Sequence, residues 1–187
     1  MSISSNEDET PFVSGIVAGI AAWLVGYVLT YVVTAGSIRN TFLGQLLQSS
    51  DAGSVPQAVG LVFYNAHFVE TVVDAGFLGS SSVSLIGGDG GFTPLLYAVP
   101  VVLLVLVGVG VAFRSDARDP AVGAKAGVTA VLGYLPLSGI GIFLMQIGSD
   151  SPSAAPDLLT GVLLAGVIYP VVFGAVGGVI GSSLADE

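Results

Sequence analysis

Four long stretches without a charged residue constrain the fold of this chain more than any other feature. They cover residues 11–38, 95–113, 126–148 and 158–185. A helix needs roughly 20 consecutive apolar residues to cross a bilayer, and each stretch supplies about that length. The sequence therefore predicts an integral membrane protein with four spanning helices, at about residues 11–36, 94–113, 123–148 and 158–184.

The predicted fold is all-α, a single transmembrane four-helix bundle that covers residues 1–187. Of the 187 residues, 53% are hydrophobic and only 9% are charged, whereas a soluble domain carries about 25% charged residues. Residues 1–10 are polar and acidic, so we expect a disordered tail there. The chain has no cysteine, which excludes disulfides and thiolate metal sites. The sequence indicates no cofactor.

The longest segment between predicted spans, residues 37–93, is expected to form helices outside the membrane. Its first part, SIRNTFLGQLLQSS, is a candidate amphipathic helix. The second candidate covers residues 55–73, because apolar residues recur there at spacings of three and four. Since structureless loops of this length are uncommon, we expect both helices to lie at the membrane interface or over the mouth of the bundle.

The basic residues predict how the chain is oriented. Arg114, Arg118 and Lys125 are three of the four basic residues, and they lie in or near the loop between the second and third spans. Cytoplasmic loops are enriched in Lys and Arg, so this loop and both termini are predicted to be cytoplasmic. Five spans, with residues 55–73 crossing as well, remain an alternative. Glu70 within that segment argues against it, because a charge at mid-bilayer is costly.

Glycines in the spans occur at a spacing that allows helix backbones to approach closely. We predict helix-packing contacts, within the bundle or between copies of the chain, although a chain with 27 glycines also produces this spacing by chance. The glycines concerned are Gly15, Gly19 and Gly26 in the first stretch, and Gly174, Gly178 and Gly181 in the fourth.

The third stretch contains a candidate hinge. Pro136 lies in its middle, with Gly133 and Gly139 on either side. Proline removes a helical hydrogen bond, and broken helices line the cavities of many transporters. A static kink that helps packing is the alternative, since ordinary spans tolerate such kinks.

One polar group of residues is a candidate metal site. If residues 55–73 are helical, His67, Glu70 and Asp74 are spaced i, i+3 and i+7 and share one face. A histidine and two carboxylates are suitable ligands for a divalent cation. They would equally form the water-facing side of an amphipathic helix, and their spacing does not match the HExxH pattern of metalloproteases. No ionisable residue occurs in the core of a predicted span, which argues against a proton relay inside the bilayer.

The charge balance gives a further indication of habitat and partners. The chain carries 13 acidic and 4 basic residues, a net charge of −9. The sequence contains no basic patch that would neutralise phosphates, which argues against nucleic acid as a partner. With its acidic NEDE tail, Lys-poor loops and spans rich in Ala, Gly and Val, the chain resembles the small, uncharacterised multi-pass membrane proteins of haloarchaea. This compositional resemblance implies a haloarchaeal cell membrane and no particular activity.

Three functions are compatible with the sequence. The first is a non-enzymatic structural or assembly component, either a homo-oligomer or a subunit of a membrane complex, with lipid and other membrane proteins as partners. The second is a channel or transporter for a neutral or weakly polar solute. The third is a metal-dependent membrane enzyme that uses His67, Glu70 and Asp74.

Overall fold

The computed structural model describes residues 11–49, 53–88, 90–148 and 152–185, so the predicted tail at 1–10 lies outside the described residues. The described chain is mostly helical, with one small sheet. Its longer helices are α1 Phe12–Thr34, α2 Phe42–Ser49, α3 Val55–Asn65, α4 Ala98–Arg114, α5 Pro120–Val128, α6 Val131–Leu144 and α7 Leu158–Ala185. The strands are β1 Thr71–Asp74, β2 Ser80–Val83 and β3 Ser153–Pro156.

Four helical segments are long and apolar enough to cross a membrane, as the charge-free stretches predict. They contain 23, 21, 25 and 28 residues: α1, α4 with the 3₁₀ turn before it (Pro94–Arg114), α5 with α6 (Pro120–Leu144), and α7. Their outward faces expose large apolar side chains such as Val13 (76%) and Val32 (75%). Such faces suit a lipid environment, since isolated large apolar patches in water favour association.

Aspartates at two helix starts show how the local sequence fixes these boundaries. Asp119 accepts hydrogen bonds from the backbone N–H of Ala121 and Val122 at the start of α5. Asp157 accepts from the backbone N–H of Thr160 at 2.8 Å and from its hydroxyl at 2.7 Å, at the start of α7. These bonds hold the pKa of Asp157 below its ordinary value, because they favour the charged carboxylate.

The long helices pack through glycine where α4 and α5 meet α7. Gly127 and Gly174 face each other so closely that a Cβ on Gly127 would overlap the carbonyl oxygen of Gly174. Gly123 and Gly178 form a second such pair. A Cβ on Gly181 would lie 2.7 Å from the carbonyl oxygen of Val109 in α4. The three glycines that the sequence identifies in the fourth stretch thus lie at contacts within the chain.

Glycines also line the side of α1 that faces the rest of the bundle. Gly15 lies against Thr129, and Gly19 lies against the carbonyl of Ala130. A Cβ on Gly26 would lie 3.1 Å from Cε2 of Phe63 in α3. The glycine face of α1 is therefore occupied by the third long helix and by α3.

The third long helix is interrupted between α5 and α6, six residues or more before Pro136. At the break, Ala130 donates to the carbonyl of Gly127 at 3.2 Å, which is a 3₁₀-type bond. Pro136 itself lies inside α6, which continues to Leu144. Of the glycines beside Pro136, Gly133 packs against the Ile16 carbonyl, whereas a Cβ on Gly139 would meet nothing within 4 Å.

The prediction of one helix over residues 55–73 is wrong beyond Asn65, where α3 ends. Phe68 adopts a left-handed conformation with φ +59°. The N–H of Val69 then bonds to the carbonyl of Tyr64, and that of Phe68 to Asn65, which is the Schellman pattern that terminates a helix. With 11 residues, α3 is also shorter than the roughly 17 residues that a spanning helix requires.

The purely all-α prediction needs a correction, because residues after this turn form a three-stranded sheet. The strand order is β2-β1-β3, and both pairings are antiparallel. The run Thr71–Asp74 contains two valines, which favour a strand once neighbours are available to pair. Its partner β3 lies about 80 residues later, so the sheet joins the segment after α3 to the segment before α7.

The two short helices pack differently from each other. In α2, Leu43 and Leu46 are buried while Gln45 is exposed, as expected of an amphipathic helix. In α3 every residue from 58 to 65 is buried. A helix buried on all sides is a core element, so the prediction that α3 lies with a polar face towards water is wrong. One side of α3 packs against α1 and α6, and the other side is covered by α2 and by Leu85, Ile86 and Phe92.

Candidate functional site

The structure does not bring together the three residues predicted to bind a metal. His67 is completely buried, whereas Glu70 and Asp74 are exposed. Asp74 lies on β1, where its carboxylate accepts from the N–H of Gly76 at 2.7 Å. Their predicted shared face required a helix that in fact ends at Asn65. The part of the chain that the structure describes holds no group of three or more His, Asp or Glu residues arranged for a metal.

His67 follows α3 and lies between the long helices, with both ring nitrogens in hydrogen bonds. Its Nδ1 is 2.8 Å from the carbonyl oxygen of Phe63, and its Nε2 is 2.7 Å from the hydroxyl of Tyr134. A carbonyl can only accept, so Nδ1 carries the proton and Nε2 accepts from Tyr134. These two bonds together define one neutral tautomer.

The surroundings of His67 favour this neutral form. His67 belongs to the turn after α3, outside the four long helices, and complete burial lowers its pKa from 6.5 to about 4, because the charged form loses its hydration. Aromatic rings enclose it. The ring centroid of Phe63 is 4.8 Å from that of His67, and the centroid of Tyr169 in α7 is 5.0 Å away.

Further buried hydroxyl groups lie beside His67. Tyr64 donates its hydroxyl to the carbonyl of Ser138 in α6. Tyr64 and Tyr134 are each no more than 1% exposed. We call His67, Tyr64, Tyr134, Ser138 and Tyr169 the buried polar cluster.

Asn65 joins the end of α3 to the sheet and to the segment after β2. Its Nδ2 donates to the carbonyl of Leu61 at 3.0 Å and to the hydroxyl of Thr71 at 2.9 Å. Its Oδ1 accepts from the N–H of Leu85 at 2.7 Å. A buried amide with these partners fixes the position of the turn that carries His67.

Two buried polar atoms near the cluster lack a partner among the described residues: the Ser138 hydroxyl and the Trp23 indole N–H. A Cβ on Gly166 would lie 3.7 Å from the Cβ of Ser138, so Ser138 faces α7. That part of α7, Gly161–Ile168, is π-helical. Most buried polar groups are paired, so unpaired ones indicate a strained site or a place for a small polar molecule, and π-helical segments are frequent at functional sites.

The chemistry open to the buried polar cluster is neutral hydrogen bonding. It offers hydroxyl donors and acceptors and an imidazole whose nitrogens are already bonded. Sequence reasoning placed His67 on a surface because it extended α3 too far. One signal was available: Tyr134 and Ser138 are spaced i, i+4 in an otherwise apolar stretch, which puts two hydroxyl groups on one helix face.

Comparison with known proteins identifies a family but no function. No curated protein and no solved structure matches the chain. A family model matches residues 2–185 and is described as a family of unknown function. The chain therefore belongs to the DUF7978 family.

Proposed function

We propose that this protein is an integral membrane protein of the haloarchaeal cell membrane and serves as a non-enzymatic structural or assembly component. Its four span-length helices and its acidic composition support the membrane and the habitat. The proposed orientation has both termini in the cytoplasm, because Arg114, Arg118 and Lys125 lie at or near the α4–α5 connection. Arg39 is on the opposite side in this orientation.

The proposal rests on the complete burial of residues 58–65 of α3, which pack against α1 and α6 on one side and are covered by α2 and by Leu85, Ile86 and Phe92 on the other. Residues 58–65 have no exposed side chain, and Phe63 and Tyr64 fill the space beside α1 and α6. A bundle whose interior is filled in this way is suited to being a stable framework. The separation of His67 from Glu70 and Asp74 gives a metal-dependent enzyme no geometric support.

A surface for partner contact lies at the tip of the β1–β2 hairpin. Thr71 pairs with Pro156, next to the start of α7, whereas Asp74 pairs with Ser153, farther from α7. The tip therefore points away from the ends of the long helices. It carries Phe77 (97% exposed) and Leu78 (74%). Two apolar side chains exposed in this position favour contact with a second copy or another membrane subunit.

Purification in mild detergent tests this proposal. We expect the protein to migrate as an oligomer or with a co-purifying subunit, and the double change Phe77→Ser and Leu78→Ser to reduce that association. Leu95→Ser is a matched control, because Leu95 is 77% exposed but lies at the start of the second long helix. A strictly monomeric wild-type protein without a partner would contradict the proposal.

A channel or transporter for a neutral or weakly polar solute is the second candidate. The observation that favours it is the Ser138 hydroxyl, which faces the π-helical part of α7 and has no hydrogen-bond partner among the described residues. Solute flux in proteoliposomes decides between the two. Flux that Ser138→Ala and His67→Ala both reduce supports transport, and flux absent from wild-type vesicles removes this candidate.

A further inference from the structure

A small cavity opens beside the turn that follows α3. It has a volume of about 130 Å³ and is lined by Asn65, Phe68, Val69, Glu70, Ser84 and Tyr97. Two aromatic residues, Phe68 and Tyr97, and one acidic residue, Glu70, thus line the same opening. The cavity is separate from the buried polar cluster, whose histidine is completely enclosed.

Phe68 occupies a backbone position that an aromatic residue seldom takes. Its φ of +59° places it in the left-handed region, at the point after α3 where glycine is the usual residue. Its side chain is nevertheless 61% exposed. Residues with a strained backbone are frequent at ligand sites, because the strained conformation holds the side chain where binding requires it.

The position gained by Phe68 is a stack on Tyr97. The two ring centroids are 4.3 Å apart and the rings are within 10° of parallel. One face of Phe68 covers Tyr97, and the exposure of the side chain leaves the other face open. The negative face of an aromatic ring attracts cations, more strongly where water is partly excluded.

Glu70 supplies a negative charge at the same cavity. Its backbone is held in place, since its carbonyl accepts from the N–H of Asp157 at 3.0 Å. Its carboxylate has no basic partner: the one ion pair within the described residues joins Arg118 and Asp116. An exposed glutamate and an aromatic residue that line the same cavity are an arrangement that selects for positive charge.

The lining also distinguishes between classes of cation. Hard metal ions such as Ca²⁺ bind six to eight oxygen ligands, several from carboxylates, and the described residues that line this cavity include a single acidic residue, Glu70. Aromatic rings around a cation are typical of sites for quaternary ammonium groups. We propose that the cavity binds a small organic ammonium cation, with Glu70 as its counter-ion and the open face of Phe68, stacked on Tyr97 behind it, as its aromatic wall.

Two sources can supply this chemistry. Tyr97 immediately precedes α4, so the cavity lies at the ends of the long helices, at the level where lipid headgroups would be found. The ligand is either the ammonium group of a lipid headgroup or a free ammonium solute.

Binding of tetramethylammonium to the full chain in non-ionic detergent tests the proposal. Calorimetric titration with tetramethylammonium chloride is compared with sodium chloride at the same ionic strength. We expect saturable binding of tetramethylammonium, weakened about ten-fold by Glu70→Gln and about three-fold by Phe68→Leu. The melting temperature of each variant shows whether it remains folded.

Two matched controls make the result specific. Asp74→Asn removes an exposed carboxylate from the neighbouring strand, and Phe113→Leu alters an exposed phenylalanine of α4 outside the cavity. Both are expected to bind as the wild type does. No saturable binding, or equal weakening by Glu70→Gln and Asp74→Asn, overturns the proposal.

Nanodiscs identify the source. If lipids with a choline headgroup compete with tetramethylammonium and lipids without one do not, the site takes a lipid headgroup. If neither kind of lipid competes with tetramethylammonium, the site takes a free solute. Both outcomes require the saturable binding that the proposal predicts, and the comparison then names the natural form of the ligand.

Discussion

Where α4 and α5 meet α7, backbone lies directly on backbone, whereas α3 meets α1 and α6 through aromatic and polar side chains. We refer to these as the glycine-packed region and the α3 region. The first is built around Gly123, Gly127, Gly174 and Gly178, which face one another across the helix pair. The second contains Tyr64, Tyr134 and the neutral His67. One small bundle thus combines two kinds of packing. The glycine-packed region has no room for a Cβ, whereas the α3 region is held together by hydrogen bonds between buried side chains.

The glycine-packed region is expected to give the largest single effect. Gly127→Val adds a Cβ that overlaps the Gly174 carbonyl, and backbone cannot move aside as a flexible side chain can. We expect a loss of about 3 kcal/mol or more in the free energy of unfolding, read as a lower melting temperature in detergent. Gly110→Val is the control, because a Cβ on Gly110 meets nothing within 4 Å. If Gly127→Val and Gly110→Val lowered the melting temperature equally, the close backbone contact at Gly127 would not be the cause.

The α3 region is expected to give the larger response to pH. His67 has a pKa of about 4 in the folded protein and about 6.5 when unfolded. As the pH falls below the unfolded value, the unfolded chain takes up a proton first, so stability declines between about pH 6.5 and pH 4. At about pH 5 the loss is roughly 2 kcal/mol. Melting temperatures at pH 7 and pH 5 measure it, and His67→Leu should abolish the difference; an unchanged difference would show that other groups cause it.

A smaller effect is expected from Tyr134→Phe. This change removes the hydroxyl that donates to His67 Nε2 at 2.7 Å and leaves that buried nitrogen without a partner. The cost of such an unpaired group is about 1–3 kcal/mol. Tyr31→Phe, on the 38% exposed Tyr31 of α1, should change little. A Tyr134→Phe protein as stable as wild type would show that the bond to His67 contributes nothing.

The smallest effect is expected from Ser138→Ala. The Ser138 hydroxyl is buried and has no partner in the part of the chain that the structure describes, so its removal there breaks no hydrogen bond and takes away an unfavourably buried polar group. We expect an unchanged or slightly raised melting temperature. A clear destabilisation would reveal that a bound molecule uses this hydroxyl in the membrane.

The sequence predicted the four long helices because length and absence of charge are local properties. It also identified Gly15, Gly19, Gly174 and Gly178, although not which backbone each one faces. Those partners depend on how distant segments meet. The sheet was missed for the same reason. No pattern within residues 71–74 predicts that β1 pairs with β3, which lies about 80 residues later.

The error about His67 arose at one turn. Valines in the segment 55–73 fit a helical period, yet the chain reverses at Phe68 and continues as a strand. Without that turn, His67, Glu70 and Asp74 share a face. With it, the histidine is enclosed and the carboxylates are exposed, so the predicted site is divided between two environments.

Labelling of single cysteines tests most directly the claim that α3 from residue 58 onwards, together with Ala66 and His67, is enclosed in the interior of the protein. The chain has no native cysteine, so each introduced thiol reports on one position. Ala66 is fully buried, whereas Glu70 is exposed. We predict that a membrane-impermeable maleimide labels Glu70→Cys rapidly and Ala66→Cys only after unfolding. Labelling of Ala66→Cys as fast as Glu70→Cys in the folded protein would contradict it.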